Sequence, residues 1–295
     1  MISVYSRWLA AGLSFLAWAA PGQSQGLTVP ADVSIEKGIE YANPDNQHLQ
    51  LNLARPKAGD GLKPAIICIH GGGFRAGIRD GYDGLCIKLA QEGFVALTVS
   101  YRLAPKYPFP AAVHDTKAAV RWVRANAAKH GIDPKRIGVT GGSAGGHLAQ
   151  FLGVTGEVQE FEGDCGNPEQ SSKVNCVVNV YGPSDFTKSY GKSVDAAEVL
   201  PLFLGGNLQT ARAAHIRSSP LNWVTPNASP TLLIHGTEDK YVAHEQAVWI
   251  HERMKSAGVE SELLTLEGAG HGFKGKDAET ADKALLAYFH KKLDK

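Results

Sequence analysis

Apolar residues recur along this chain at two different spacings. Short runs rich in β-branched residues appear at Ala65–His70, Val95–Ser100, Arg136–Thr140, Val174–Tyr181, Thr231–His235 and Ser261–Leu266. They are apolar almost without interruption, which is the pattern of strands covered on both faces in a parallel sheet. Upstream, Val33–Tyr41 and His48–Ala54 flank the turn cluster Asn43-Pro44-Asp45-Asn46 and read as an antiparallel pair. Between the later strands the spacing becomes helical. Ala112–His130 sets Val113, Thr116, Val120, Val123 and Ala127 on one face and stops at Gly131. His244–Ala257 stops at Gly258, and Ala278–Leu293 closes the chain. Strand and helix alternating after an antiparallel start predict an α/β fold: a mixed, mostly parallel sheet with helices on both faces. Asp185–Asn227 has weak strand signals and is expected as a small helical insertion over the active face.

The first residues do not fit this alternation. Arg7 precedes an apolar stretch from Trp8 to Ala20, and Ala17-Trp18-Ala19 offers a small-residue cleavage site. We expect a signal peptide over residues 1–26, cleaved between about residues 19 and 26, and a mature protein outside the cytoplasm, secreted or periplasmic. The stretch is short for a membrane span, with an uncleaved anchor as the alternative. Residues 27–295 then form one catalytic domain, with no repeat or linker to divide them.

Composition narrows the partners. The contents of 43% hydrophobic and 20% charged residues are those of an ordinary soluble domain. A net charge of +1, without a basic run or acidic tail, gives no footprint for nucleic acid or an anionic membrane. Oligomeric state is not legible. Export permits cysteine pairing, and a short bridge between Cys165 and Cys176 fits their polar loop, while Cys68 reads as a buried free thiol rather than a partner of Cys86. The cysteines lack zinc spacing. His244-Glu245 opens like a zinc-peptidase helix, but Val248 stands where the second histidine is needed.

The chemistry-bearing motifs sit at predicted strand ends. Gly141-Gly142-Ser143-Ala144-Gly145 fits G-x-S-x-G between a strand and a helix opening at His147-Leu148-Ala149. A serine at such a turn is strained and exposed above the sheet, which makes Ser143 the candidate nucleophile. His70-Gly71-Gly72-Gly73 ends another strand, and the amides of Gly71, Gly72 and Ala144 could form an oxyanion hole, with His70 fixing the loop. Gly71-x-Gly73-x-x-Ala76 also satisfies a dinucleotide fingerprint, but Ser100 stands where that reading wants an acid. Among 11 histidines, His271 is the candidate base, because it follows a strand in the flexible run Gly268–Phe273. His235 and His147 read as packed or structural. Asp239 is the candidate acid, after the strand ending at Ile234 and before Val242, which can dock its loop; Glu238 and Asp185 compete with it.

Together with Tyr101-Arg102-Leu103-Ala104-Pro105, Phe109-Pro110-Ala111-Ala112 and Asp115, and with Gly145-Gly146 and His271-Gly272-Phe273, these motifs resemble the hormone-sensitive-lipase-like esterases over nearly the whole mature chain. The resemblance implies the α/β-hydrolase fold, a Ser143–His271–Asp239 triad, no cofactor, and a structural pairing of Arg102 with Asp115 near the oxyanion loop. Two departures stand out. The acidic residue usual before the nucleophile is Gly142 here, and the helical N-terminal cap has no room after the signal. With little cap, Gly141–Ala149 is more similar to the bacterial bifunctional feruloyl and acetyl-xylan esterases. The implied function is serine ester hydrolysis, removing acetyl or feruloyl groups from a polysaccharide such as xylan. A general short-chain carboxylesterase is the alternative, and a catalytically inactive binding module the reading from another class. Lacking a large cap, the site is expected to be an open groove. Tyr82, Phe186, Tyr190, Trp223, Tyr241 and Phe273 could stack on substrate rings, and each also fits ordinary packing.

Overall fold

The computed structural model describes residues 27–156 and 158–294, so the predicted leader and its cleavage site lie outside the described residues. Eight strands build one sheet: β1 (Val33–Ala42), β2 (Leu49–Pro56), β3 (Lys63–Ile69), β4 (Val95–Val99), β5 (Ile132–Gly142), β6 (Cys176–Val180), β7 (Thr231–Gly236) and β8 (Ser261–Leu266). Their order is β1-β2-β4-β3-β5-β6-β7-β8. β1 and β2 pair antiparallel, β2 joins β4 antiparallel, and all later pairings are parallel. The chain thus has the mixed, mostly parallel sheet that its alternation predicts.

Period-two packing on both faces explains the uninterrupted apolar runs. In β3, Ala65, Ile67 and Ile69 enter one core, while Ile66 and Cys68 enter the other. Helices α2 (Ala111–Ala125), α4 (Ala144–Val154) and α5 (Ala196–Leu204) cover the first face. Helices α1 (Asp83–Gln91) and α8 (Gly275–Leu293) cover the second. The short α3 (Ala127–His130) follows α2, α6 (Arg212–Arg217) follows α5, and α7 (Glu245–Ser256) packs Ile250 and Met254 against Leu233. No helix among the described residues is long and apolar enough to cross a membrane.

Several elements depart from their predicted bounds. The helix expected over Ala112–His130 breaks at Asn126, whose side-chain amide donates to the Trp122 carbonyl at 3.0 Å and competes with the helical ladder. It still stops at Gly131, which takes the left-handed conformation (φ 68°) that a helix end favours. The helix after Ser143 starts at Ala144 rather than His147. Helix α1 has no counterpart among the predicted elements.

The expected Cys165–Cys176 bridge does not form; all four cysteines are free thiols. The sheet itself separates the pair. Cys176 lies in β6 and faces the core under α8, while Cys165 packs into the core on the α2 side. There α2 ties down Thr155, Glu162 and Cys165: Lys117 donates to Glu162 at 2.8 Å and to the Thr155 carbonyl at 2.7 Å, and Arg121 donates to Glu162 at 2.8 Å and to the Cys165 carbonyl at 2.5 Å. Cys68 is buried and unbridged, as its apolar run predicts.

Candidate active site

Strand β5 ends at Gly142, and the chain turns directly into α4 through Ser143, whose φ of 57° and ψ of −122° are strained for a residue with a side chain. The turn is held from both sides. The Ser143 amide donates to the Val180 carbonyl at 3.0 Å, and the His147 amide donates back to Ser143 at 3.0 Å. Position 145 admits only glycine, because a Cβ there would lie 2.0 Å from the Ile69 carbonyl oxygen. Position 142 is glycine for a different reason. A Cβ would stand 2.9 Å from the Tyr82 hydroxyl and 3.2 Å from the Tyr181 ring, and that hydroxyl accepts the Gly142 N–H at 3.0 Å. Tyr82 therefore occupies the space beside the Ser143 turn that an acidic side chain at 142 would need.

The loop after β3 lies against this turn. Gly71, Gly72 and Ala144 line the same cavity as Ser143. His70 behaves as the loop-fixing residue: its Nδ1–H donates to the Gly71 carbonyl at 2.8 Å, its ring stacks on Tyr101 with centroids 4.3 Å apart, and burial pushes its pKa down to about 4. Arg102 and Asp115 pair at 2.8 Å, and the segment they hold donates the Ala104 amide to the Phe74 carbonyl at 2.9 Å, next to the glycines. The arrangement is the one the resemblance implies.

His271 and Asp239 come together from the loops after β8 and β7. His271 Nδ1 lies 2.7 Å from Asp239 Oδ2. A carboxylate can only accept, so Nδ1 carries the proton and Nε2 is left as a base. Asp239 Oδ1 accepts the amides of Tyr241 and Val242, each at 2.9 Å. Burial by itself would raise the Asp239 pKa, but the hydrogen bonds from His235, His271 and Val242 outweigh it and hold the carboxyl well below the usual range. His235 donates to the Val242 carbonyl at 2.8 Å and stays structural, with Asp239 Oδ2 at 3.4 Å. The buried Val242 docks the loop, as its position predicts. Glu238 is exposed, and Asp185 is taken up by Thr187 and Lys188. His147 is buried, donates to the Pro183 carbonyl at 3.0 Å, and is lowered to about 4 by burial.

Ser143 and His271 open into one cavity of about 390 Å³. Part of its lining comes from the segment expected to form a helical insertion over this face. The insertion lies over it and supplies a wall that includes Phe186, Ala196, Val199 and Leu200. Helix α5 is also fastened to the glycine loop after β3: Phe203 stacks on Phe74 with centroids 3.8 Å apart and planes 8° from parallel, and Glu198 meets Arg75 at 2.5 Å. Of the six aromatic candidates, Tyr82, Phe186 and Tyr241 line the cavity. Trp223 packs on Phe161, Phe273 on Tyr181, and Tyr190 bonds His215, so those three serve packing. Val199 and Leu200 went unrecognised in the sequence, where nothing distinguishes a cavity-facing aliphatic residue from a core one.

Comparison with known proteins finds esterases. The chain is 37% identical over 220 residues to esterase LipC of Mycobacterium tuberculosis, covering 71% of this chain and 53% of that protein. It is 32% identical to an ethyl acetate hydrolase of Pseudomonas putida, covering 82% of this chain and 77% of that enzyme. It thus spans about half the length of LipC and most of the second relative. Among solved structures, a truncated carbohydrate esterase from gut microbiota superposes with a TM-score of 0.80 at 29% identity, over 89% of this chain and 97% of that one. Esterase 2 of Thermogutta terrifontis superposes at 0.73 with 28% identity, over 88% and 92%. The fold is accordingly that of the α/β-hydrolase esterases, and since the BD-FAE family model matches residues 51–254, the chain belongs to the BD-FAE family.

Proposed function

We propose that this protein is a serine carboxylic ester hydrolase that works through an acyl-enzyme. The observation that carries the reading is the His271–Asp239 hydrogen bond of 2.7 Å, with the imidazole and a strained Ser143 lining one cavity. Ser143 Oγ attacks the ester carbonyl carbon while His271 Nε2 takes its proton, and Asp239 stabilises the imidazolium. The carbonyl oxygen, now anionic, is received by the amides of Gly71, Gly72 and Ala144, where one such donor is worth roughly 3–4 kcal/mol of barrier. The C–O bond to the alcohol breaks, and His271 returns the proton to the leaving oxygen. Water, deprotonated by His271, then splits the acyl-enzyme and restores Ser143. The cycle consumes one ester and one water and calls for no cofactor.

The substrate we assign is an acetylated or feruloylated plant polysaccharide such as xylan, met outside the cytoplasm. Likeness to a truncated carbohydrate esterase, over 97% of that chain, supports this reading, as does the leader-like pattern of residues 1–26. A general short-chain carboxylesterase is the second reading, favoured by the apolar wall from α5 and the ethyl acetate hydrolase likeness. The test is release of acetate and ferulate from esterified xylan by the protein and by Ser143→Ala, with p-nitrophenyl acetate alongside. Release lost in the variant supports the polysaccharide reading. Hydrolysis of p-nitrophenyl acetate alone leaves the general carboxylesterase, and equal activity in the variant removes Ser143 as nucleophile.

A further inference from the structure

Tyr241 stands apart from the other aromatic residues of the cavity. Phe74, Tyr181 and Phe186 are 3%, 3% and 1% exposed, while Tyr241 is 37% exposed and still lines the cavity. Its ring lies beside His271, with centroids 5.3 Å apart and planes at 46°. Its position is fixed from behind, because its own amide donates to Asp239 at 2.9 Å, and the next residue, Val242, is buried. A large ring held by its backbone, with His271 on one side and more than a third of its surface facing water, offers an apolar face to a ligand in the cavity.

The side of the ester that meets this ring follows from the chemistry. The base that deprotonates Ser143 must later protonate the departing alcohol oxygen, so that oxygen comes within hydrogen-bond reach of His271 Nε2. Groups flanking the imidazole therefore flank the alcohol, whereas the Gly71–Gly72 loop flanks the carbonyl oxygen. A ring placed one or two bonds beyond the leaving oxygen arrives at Tyr241. We propose that Tyr241 is the alcohol-side platform of this site, selecting esters whose alcohol carries a ring face, whether the apolar face of a pyranose or an aryl ring. The proposal rests on the ester-hydrolase reading above and adds the class of alcohol to it.

The test holds the acyl group constant and varies the alcohol. Benzyl acetate and ethyl acetate share an acetyl group and have alcohols of similar basicity, and acetylated xylo-oligosaccharide adds the sugar ring. The readout is the ratio of kcat/KM for each ring-bearing ester to that for ethyl acetate, which cancels any effect that Tyr241 transmits equally through His271. In Tyr241→Ala the ratio should fall roughly fivefold, the size of one aromatic face-to-ring contact. In Tyr241→Phe, which keeps the face, it should stay within about twofold. A fall for the oligosaccharide identifies a sugar platform, and a fall for benzyl acetate alone identifies an aryl one. Ratios that hold in Tyr241→Ala for both esters overturn the proposal, even if all three rates drop together. Failure of the underlying reading looks different: Ser143→Ala would then retain ethyl acetate hydrolysis.

Discussion

Gly142, the residue before Ser143, is tied to one tyrosine, and that tie can be measured. Gly142→Ala places a methyl group 2.9 Å from the Tyr82 hydroxyl and 3.2 Å from the buried Tyr181 ring, below ordinary contact distance. Overpacking of this kind costs about 1–3 kcal/mol. Tyr82→Phe removes the clashing oxygen but leaves the Gly142 N–H without its acceptor, which costs about 1–3 kcal/mol. In the double variant the amide is still unpaired, yet the added methyl loses its shortest clash and keeps only the 3.2 Å contacts with the Tyr181 ring and hydroxyl. The two changes should therefore be less than additive, with a coupling of about −1 kcal/mol or larger in size. Urea unfolding of the four proteins gives that coupling directly. Gly142→Ala should also lower kcat/KM for p-nitrophenyl acetate by about tenfold or more, because its shift is passed to the adjacent Ser143, and Tyr82→Phe should restore part of the loss. If the single costs simply sum to within about 0.5 kcal/mol, the Tyr82 contact is not what keeps residue 142 a glycine.

Two further outcomes follow from geometry already described. Ser143 holds φ at 57°, so Ser143→Gly should be more stable than Ser143→Ala by about 1 kcal/mol in chemical unfolding, both being inactive; equal stabilities would mean the turn is unstrained. Burial by itself would raise the Glu162 pKa, but its bonds to Lys117, Ser172 and Arg121 outweigh burial and lower it. A depressed carboxyl contributes stability present above its unfolded pKa and lost as pH falls through the folded one. Glu162→Gln should thus cost roughly 3 kcal/mol near neutrality, leaving the buried Lys117 uncompensated. The gap from wild type should narrow as pH drops below about 4.3, and a gap that stays constant to pH about 3 would contradict the assignment.

The parts of the fold and site legible in the sequence are those encoded locally. Apolar runs covered on both faces marked the strands, and the Ser143, Asp239, His271 and Gly71–Gly72 positions each follow such a run. What escaped depends on contacts between distant residues. Helix α1 is nine residues long and buries Cys86, Ile87, Leu89 and Ala90, which gives no clean stripe to read. Tyr82 acts on Gly142 across a separation of 60 residues, with no trace of the pairing in either neighbourhood. The Cys165–Cys176 expectation treated closeness in sequence as closeness in space, and a β-sheet stands between them. The insertion after β6 was legible only as a place where strand signals fade, and which of its side chains line the cavity depends on how α5 packs.

The stack of Phe203 on Phe74 bears on how such a site can be redesigned. The insertion is the natural module to exchange between relatives when a different acyl or alcohol range is wanted, since it enters and leaves the sheet between β6 and β7. Yet its helix α5 is clamped to the residue directly after the three glycines. A transplanted insertion that brings its own α5 but leaves residue 74 behind would exchange selectivity for a misaligned glycine loop. The transferable unit is therefore discontinuous: residues 185–227 together with position 74, and with Arg75 where Glu198 is retained.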